Sequence, residues 1–185
     1  MAVFFTADTH FDDPRILRID KRPFASLPEH DAGLIANWNA VVSPDDTVFH
    51  LGDFARGTPA AKAAILDRLA GEKHLISGNN DDEATLALSG WRSVSAYREI
   101  DLDGRRLILC HYAFRTWNAM GRGSLDLHGH SHGKLTPQPR QYDVGVDAQG
   151  FKPVTLAEIL VSRRGRAAPG KGVSRGRASG ATPQT

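Results

Sequence analysis

Three short apolar runs in the first half of the chain each end in a cluster of small polar residues. A segment with helical spacing separates each run from the next. Val3-Phe4-Phe5-Thr6-Ala7 stops at Asp8-Thr9-His10, Thr47-Val48-Phe49-His50-Leu51 at Gly52-Asp53-Phe54, and Lys73-His74-Leu75-Ile76 at Ser77-Gly78-Asn79-Asn80-Asp81-Asp82. Between the first two, residues 30–42 place Leu34, Ile35, Trp38, Val41 and Val42 along one helical face, and Ser43-Pro44 breaks the pattern. Between the second and third, a helix is expected over 58–69, with Pro59 in its first turn, Ile65, Leu66 and Leu69 turned inward, and Gly71 past its end. One polar cluster after a strand means little. Three at matching places predict a parallel α/β sheet with a site along the carboxyl edge of its strands.

The second half changes character. After a short helix over 83–88, Ser93 to Ile100 reads as one strand, Asp103-Gly104 as a hairpin turn, and Arg106 to Cys110 as the return strand that delivers His111. That hairpin predicts a second, partly antiparallel sheet. Leu125-Asp126-Leu127 then leads into His128-Gly129-His130-Ser131-His132, three imidazoles in five residues. Tyr142 to Val146 is a last short strand, and Thr155 with Glu158 forms a capping box that opens a brief helix. Residues 11–28 read as a polar loop with a helical suggestion at Ile16 to Ile19.

Composition limits the class. At 185 residues, 41% hydrophobic and 24% charged, the chain is sized and composed as one soluble globular domain. It holds no apolar run long enough to span a bilayer. Met1 to Phe5 lacks the basic start and the length of a signal peptide. The lone Cys110 cannot form an internal disulfide, and a cytoplasmic location without membrane partners is expected. The net charge of +2 hides an asymmetry, because Arg163, Arg164, Arg166, Lys171, Arg175 and Arg177 follow Ser162 with no acid among them. Residues 1–161 are expected to form the domain, with 17 basic against 21 acidic residues before that stretch. Residues 162–185, rich in Gly, Ala, Ser, Pro and Arg, are expected to be a disordered, solubilising tail, with an arginine-rich arm for RNA or acidic partners as the alternative. An acidic body is not that of a basic nucleic-acid binder.

The strand-end residues share a chemistry. Asp8 and His10 lie two apart and project to one side, as do His130 and His132. An isolated Asp at such a place more often caps a turn, and a His-rich turn can be mere surface. Taken together, Asp8, His10, Asp53, Asn79, His111, His130 and His132 are two carboxylates, an amide and four imidazoles with no thiolate, a set suited to Mn, Fe, Zn or Ni. Seven groups are too many for one ion. With one bridging carboxylate they give two ions four protein ligands each, the arrangement that holds a phosphoryl group between two metals.

Asp8-Thr9-His10, Gly52-Asp53, Gly78-Asn79-Asn80-Asp81, His111 and Gly129-His130-Ser131-His132, in this order, resemble the five blocks of the calcineurin-like metallophosphoesterases. The small bacterial branch is the nearest in pattern, with similar Leu51-Gly52-Asp53-Phe54, Leu127-His128-Gly129-His130 and Asp143-Val144-Gly145-Val146-Asp147 segments. The resemblance runs from Val3 to about Leu160. It implies an α/β fold (α+β by some schemes), a four-layer β-sandwich of two mixed sheets flanked by helices. It also implies that Asp8, His10 and His132 hold one divalent metal, that Asn79, His111 and His130 hold the other, and that Asp53 bridges them. Mn is the first expectation for both ions, with Fe, Zn, Ni or Mg as alternatives. The implied activity is hydrolysis of phosphoesters by a metal-bridging hydroxide, on a phosphorylated small molecule or nucleotide.

One departure matters. The family's third block usually reads Gly-Asn-His-Asp, and its His protonates the leaving group or steadies the phosphate; here that position is Asn80. Asn can donate a hydrogen bond but not a proton, and general acid catalysis is typically worth about 10²–10⁴-fold. Phosphodiesters or other esters with good leaving groups are therefore expected as substrates. The rivals are a phosphomonoesterase of the same fold and a catalytically weak module that binds metal and nucleotide. Asn80, Asp53 and His128 are the expected catalytic residues, and Asn80, Arg56, Tyr112 and Arg115 the expected substrate contacts. Asp12, His50, His74, His128 or a metal-bound water are candidates for the missing acid. His128 is otherwise expected to donate to a backbone carbonyl or carboxylate, and His50 to support Asp53 from its strand. Asp143 and Asp147 are expected behind the ligands, Trp117 in the core as readily as in a pocket wall, and Cys110 as a small buried hydrophobe.

Overall fold

The computed structural model describes residues 1–164. The first sheet has the order β4-β3-β2-β1-β9, built from β1 (Val3–Thr6), β2 (Thr47–His50), β3 (Glu72–Ile76), β4 (Trp91–Ser95) and β9 (Val154–Thr155). Strands β1 to β4 run parallel to their neighbours, and β9 pairs antiparallel with β1. The register sets Thr6 beside His50 and His50 beside Leu75, so the polar segments after β1, β2 and β3 leave the sheet at one level. The second sheet, β5-β6-β7-β8, comprises β5 (Tyr97–Leu102), β6 (Arg105–Cys110), β7 (Leu125–His128) and β8 (Gln141–Asp143). Its β5–β6 pair is antiparallel and the rest parallel. Asp103 and Gly104 both have positive φ, as the expected two-residue hairpin turn requires.

Alternation along the strands makes two cores. Phe5, Ala7, Phe49, Leu51 and Ile76 of the first sheet meet Leu107, Leu109, Leu125, Leu127 and Val144 of the second, with Val154, Leu156 and Ile159 closing the same cluster. On the opposite face of the first sheet, Phe4, Val48, Leu75 and Trp91 pack with Leu34, Ile35 and Trp38 of α2 (Leu27–Val41) and Leu66 of α3 (Pro59–Asp67). Segment 112–124, which includes a 3-10 turn at Met120–Arg122, lies over the outer face of the second sheet, where Asp126 accepts from Phe114 N. The architecture is thus two mixed sheets flanked by helices, with α1 (Ile16–Ile19), α4 (Glu83–Leu86) and α5 (Leu156–Arg164) completing the elements.

Three local expectations change. Ser93 to Ile100 is not one strand: Ala96 is the corner at which the chain leaves the first sheet as β4 and enters the second as β5, a turn that a small residue permits. Tyr142 to Val146 also divides, because β8 ends at Asp143 and the chain crosses to the first sheet. There Gly145 bridges to Ala7, and Val146 N donates to Ala7 O. Helix α2 begins at Leu27, inside the expected loop, since Ser26 Oγ accepts from Glu29 N and Pro28 fits the first turn. The capping box at Thr155 and Glu158 forms as expected, and α5 continues to Arg164. The remainder of the arginine-rich stretch, from 165, lies outside the described residues. Among the described residues no helix is long and apolar enough to cross a membrane.

Candidate metal centre

The strand ends of both sheets converge. Strand β1 delivers Asp8 and His10, β2 Asp53, β3 Asn79 and Asn80, β6 His111, and β7 His130 and His132. The segments are tied to one another by main-chain bonds: Asp8 N to Gly52 O (2.9 Å), His10 N to Asp53 O (3.1 Å) and Gly129 N to His111 O (3.0 Å). Gly52 is where they come closest. At φ +89° it holds a left-handed backbone, and a Cβ there would stand 2.6 Å from both the Gly78 backbone and His111 Nδ1. Asp8, His10, Asp53, His130 and His132 also have positive φ, between 49° and 66°.

All seven residues expected as ligands are brought together, in two groups. One ligand atom each from Asp8, His10 and His132 lie within 4.8 Å of one another, and the same holds for Asp53, His111 and His130. Asn79 Oδ1 joins the second group, 3.1 Å from His111 Nε2. Asp53 stands between the groups, with Oδ2 3.5 Å from His10 Nε2 and Oδ1 3.6 Å from His111 Nε2.

The hydrogen bonds behind these atoms leave lone pairs facing inward. His111 Nδ1 donates to Leu51 O at 2.7 Å, so its Nε2 points bare at Asn79 Oδ1 and Asp53, both of them acceptors. His132 Nδ1 donates to Asp147 Oδ2 at 2.8 Å, freeing its Nε2. His10 Nε2 is buried without a hydrogen-bond partner. Acceptors turned on one another in a buried place ask for a cation, and neutral imidazoles with ionised carboxylates are the binding forms. Burial drives His10 down to about 4 and also lowers His130. Burial raises Asp53, but His111 and two hydrogen bonds from Asn80 outweigh it and hold it below the usual range. Asp8 is the exception: burial pushes it well above the usual range, against the opposing charge of His132. His132 rises because its hydrogen bond to Asp147 and the charges of Asp8, Asp147 and Asp20 overcome its burial. The donor set fits two divalent ions.

The other expected site residues separate. Asn80 turns onto Asp53: its backbone N donates to Oδ1 (2.8 Å) and its Nδ2 to Oδ2 (2.7 Å). His128 belongs to neither group; its Nδ1 meets the Gly129 carbonyl at 2.9 Å. Arg56 Nε donates to Asp13 Oδ2 at 3.0 Å, with its side chain 45% exposed. Tyr112 is exposed and sets its ring edge-on to His130, 4.6 Å between centroids. Together with Ala113, Gly129, Ser131, Lys134 and Leu135 they line a recess of about 320 Å³. Arg115 is exposed on the segment over the second sheet, while Trp117 is buried and donates to Ser124 O, a core role. Cys110 is buried. Asp143 accepts from Ser131 Oγ and from the Gly133 and Gly145 backbones, holding the His-rich turn.

His50 does not support Asp53. Phe49 and Leu51 face the second sheet, so His50 faces the helices, where its Nε2 donates to Thr9 Oγ while that hydroxyl donates to Phe54 O. Burial drives it down to about 3. His74, another candidate acid, lies between the sheets against Phe49 and bonds Ser93 and Glu72.

Three residues escaped the sequence reading. Asp81 accepts from the backbone N of Asp53, Phe54 and Gly78, clamping the segment after β2 to that after β3; its place in the polar cluster was the available signal. Asp13 stands 3.7 Å from His10 Nδ1, and Arg22 binds Asp147; isolated in a polar loop, neither carried a spacing that could have marked it.

Residues 1–143 match the family profile of the calcineurin-like phosphoesterase superfamily domain. An uncharacterized protein of Methanocaldococcus jannaschii is 30% identical over 167 residues, covering 85% of this chain and 89% of that protein. The gene 66 protein of Mycobacterium phage D29 is 30% identical over 178 residues, covering 79% and 88% respectively. Among solved structures, a protein of unknown function from Aquifex aeolicus shares the fold with a TM-score of 0.69 at 23% identity, over 86% of this chain and 98% of that one.

Proposed function

Because the chain belongs to the calcineurin-like phosphoesterase superfamily, we propose that it hydrolyses phosphoesters at the two ligand groups and favours diesters or other esters with good leaving groups over alkyl monoesters. The observation that carries the reading is Asp53, set between two groups of inward lone pairs that include a buried, partnerless His10 Nε2. Asp8, His10 and His132 would hold one divalent ion, Asn79, His111 and His130 the other, and Asp53 both. Two such ions, Mn first among them, supply Lewis acidity toward phosphoryl oxygens and lower the pKa of bound water.

The protein's own groups support the proposed substrate preference. Asn80 donates to Asp53 from its backbone N and from Nδ2 and so holds that carboxylate in place; an amide has no proton to give a departing oxygen. His50 and His74 are engaged elsewhere, and His128 is turned to the Gly129 carbonyl. A leaving group that departs without protonation must be a weak base, as an aryl or nucleotide-type ester oxygen is. The recess beside His130, walled by Tyr112, Ala113 and Leu135, is suited to the apolar part of such an ester. A cytoplasmic setting belongs to the same proposal, supported by the buried free thiol of Cys110.

The test is turnover of bis-p-nitrophenyl phosphate and p-nitrophenyl phosphate by metal-stripped protein titrated with Mn. Diester turnover is expected, falling at least about 100-fold in Asp53→Asn. Asn80→His is expected to raise monoester turnover relative to diester by about 10-fold or more, as a restored proton donor should. Monoester preference in the unaltered chain would discard the argument from Asn80. No turnover with Mn, Ni, Zn or Mg would leave a metal- and nucleotide-binding module.

A further inference from the structure

Arg22 lies between α1 and α2, and its side chain is fully buried. All five of its N–H donors are used. Nε donates to Asp147 Oδ1 (2.9 Å), Nη2 to Asp147 Oδ2 (2.7 Å) and the Asp8 carbonyl (2.6 Å), and Nη1 to the Thr9 carbonyl (2.8 Å) and His30 Nε2 (2.8 Å). A guanidinium cannot accept, so His30 Nε2 is the acceptor, and its Nδ1–H is left to donate to Asp31 Oδ1 at 2.7 Å. On its far side Asp147 Oδ2 accepts from His132 Nδ1. The second ligand group is supported differently, since His111 Nδ1 rests on the Leu51 carbonyl.

We propose that Arg22 is the positioning residue of the Asp8–His10–His132 group. It fixes the Asp147 carboxylate that sets the tautomer and ring orientation of His132, and it pins the main chain at Asp8 and Thr9, where φ of Asp8 is +57°. The planar fork is what the task needs: one group must grip a carboxylate in two places and reach two carbonyls in nearly one plane, which an ammonium cannot do. A carboxylate behind a ligand imidazole typically changes metal affinity by about 10–100-fold. Asp20 Oδ1, 3.6 Å from His132 Nδ1, is beyond hydrogen-bond reach and is held there by Lys134, so it does not replace Asp147.

The metal half of this inference rests on the proposed function; the tautomer half does not, and the experiment separates them. Full-length, metal-free, ¹⁵N-labelled protein is compared with Arg22→Lys and Asp147→Asn by long-range imidazole ¹H–¹⁵N correlation at about pH 9, above the usual imidazolium range. His132 is expected as the Nδ1–H tautomer in the unaltered chain and as a mixture with Nε2–H in both variants, with His111 unchanged. Mn titration by calorimetry is then expected to show two bound ions in the unaltered chain, and in the variants one of the two weakened about 10–100-fold. Asp147→Asn removes one charge at constant shape and carries the test should Arg22→Lys fail to fold. An unchanged His132 tautomer in the variants overturns the positioning role. A shifted tautomer in a chain that binds no Mn, Zn or Ni upholds it and sinks the proposed function instead.

Discussion

Five of the seven proposed ligand residues occupy a backbone region that L-residues avoid. Asp and His tolerate it better than most, so the ligand chemistry and the strained turns are compatible. The turns bend the chain back at once, so that residues two apart come to one centre instead of continuing outward along a strand. Gly52 is the limiting point, because it combines a left-handed φ with neighbours on every side. Gly52→Ala is expected to lose about 2–5 kcal/mol through strain and overpacking together. Gly104→Ala, at φ +71° with nothing within 4 Å, should lose only about 1 kcal/mol. Urea unfolding of both variants checks the difference, and equal losses would mean that crowding at Gly52 is relieved by movement.

At the scale of elements, α3 and α4 are joined by a buried ammonium. Lys62 on α3, 2% exposed, donates to Asp82 Oδ1 at 2.6 Å and to Thr85 Oγ at 2.9 Å, while Asp82 also caps α4 through Thr85 N. Lys62, the cap and the Thr85 hydroxyl hold Asp82 down to about 2, below its ordinary 3.8. The stabilisation is therefore complete above about pH 4 and is lost as pH falls towards 2. Asp82→Asn, which keeps a capping side chain, should cost about 1 kcal/mol at pH 7 given the exposure of Asp82, and the gap from the unaltered protein should close between pH 4 and 2. Denaturant melts across that range measure it; a constant gap would assign the loss to something other than charge. The same scale explains what could be read in advance. Strand ends and ligand types were legible because each is local: an apolar run stopping at Asp8, Asp53 or Asn79 announces itself. The corner at Ala96 was not, since no Gly or Pro marks it and the strand-like stretch runs on from β4 to β5 while the partner strand changes. The pairing of Arg22 with Asp147 was not either, because only the folded chain brings those residues together.

For the whole molecule, the centre is where the two sheets are joined: β1, β2 and β3 supply one side, β6 and β7 the other, and the Asp143 to Val146 crossing seals it. Divalent ions held there would tie one sheet to the other and stabilise only the folded chain. At a free ion concentration of about 100 times the dissociation constant, one site adds about 2.7 kcal/mol. That corresponds to a rise in Tm of about 5–10 °C for a chain of this size. Thermal melts with Mn, and again after a chelator, should show the rise and its reversal, and Asp53→Asn should lack it. A Tm indifferent to both treatments would mean that the centre holds no stabilising ion.

His130 N reaches Asp8 across 122 residues, and Arg22 reaches Asp147 across 125. A chain emerging from the ribosome therefore displays Asp8, His10 and Arg22 first, makes His130 and His132 much later, and makes the carboxylate that seats His132 last of all. No truncated product ending before Asp147 owns a finished ligand group around Asp8, so abortive synthesis yields fragments without the seated His132, and the centre assembles only on a chain that already has both sheets to close around it.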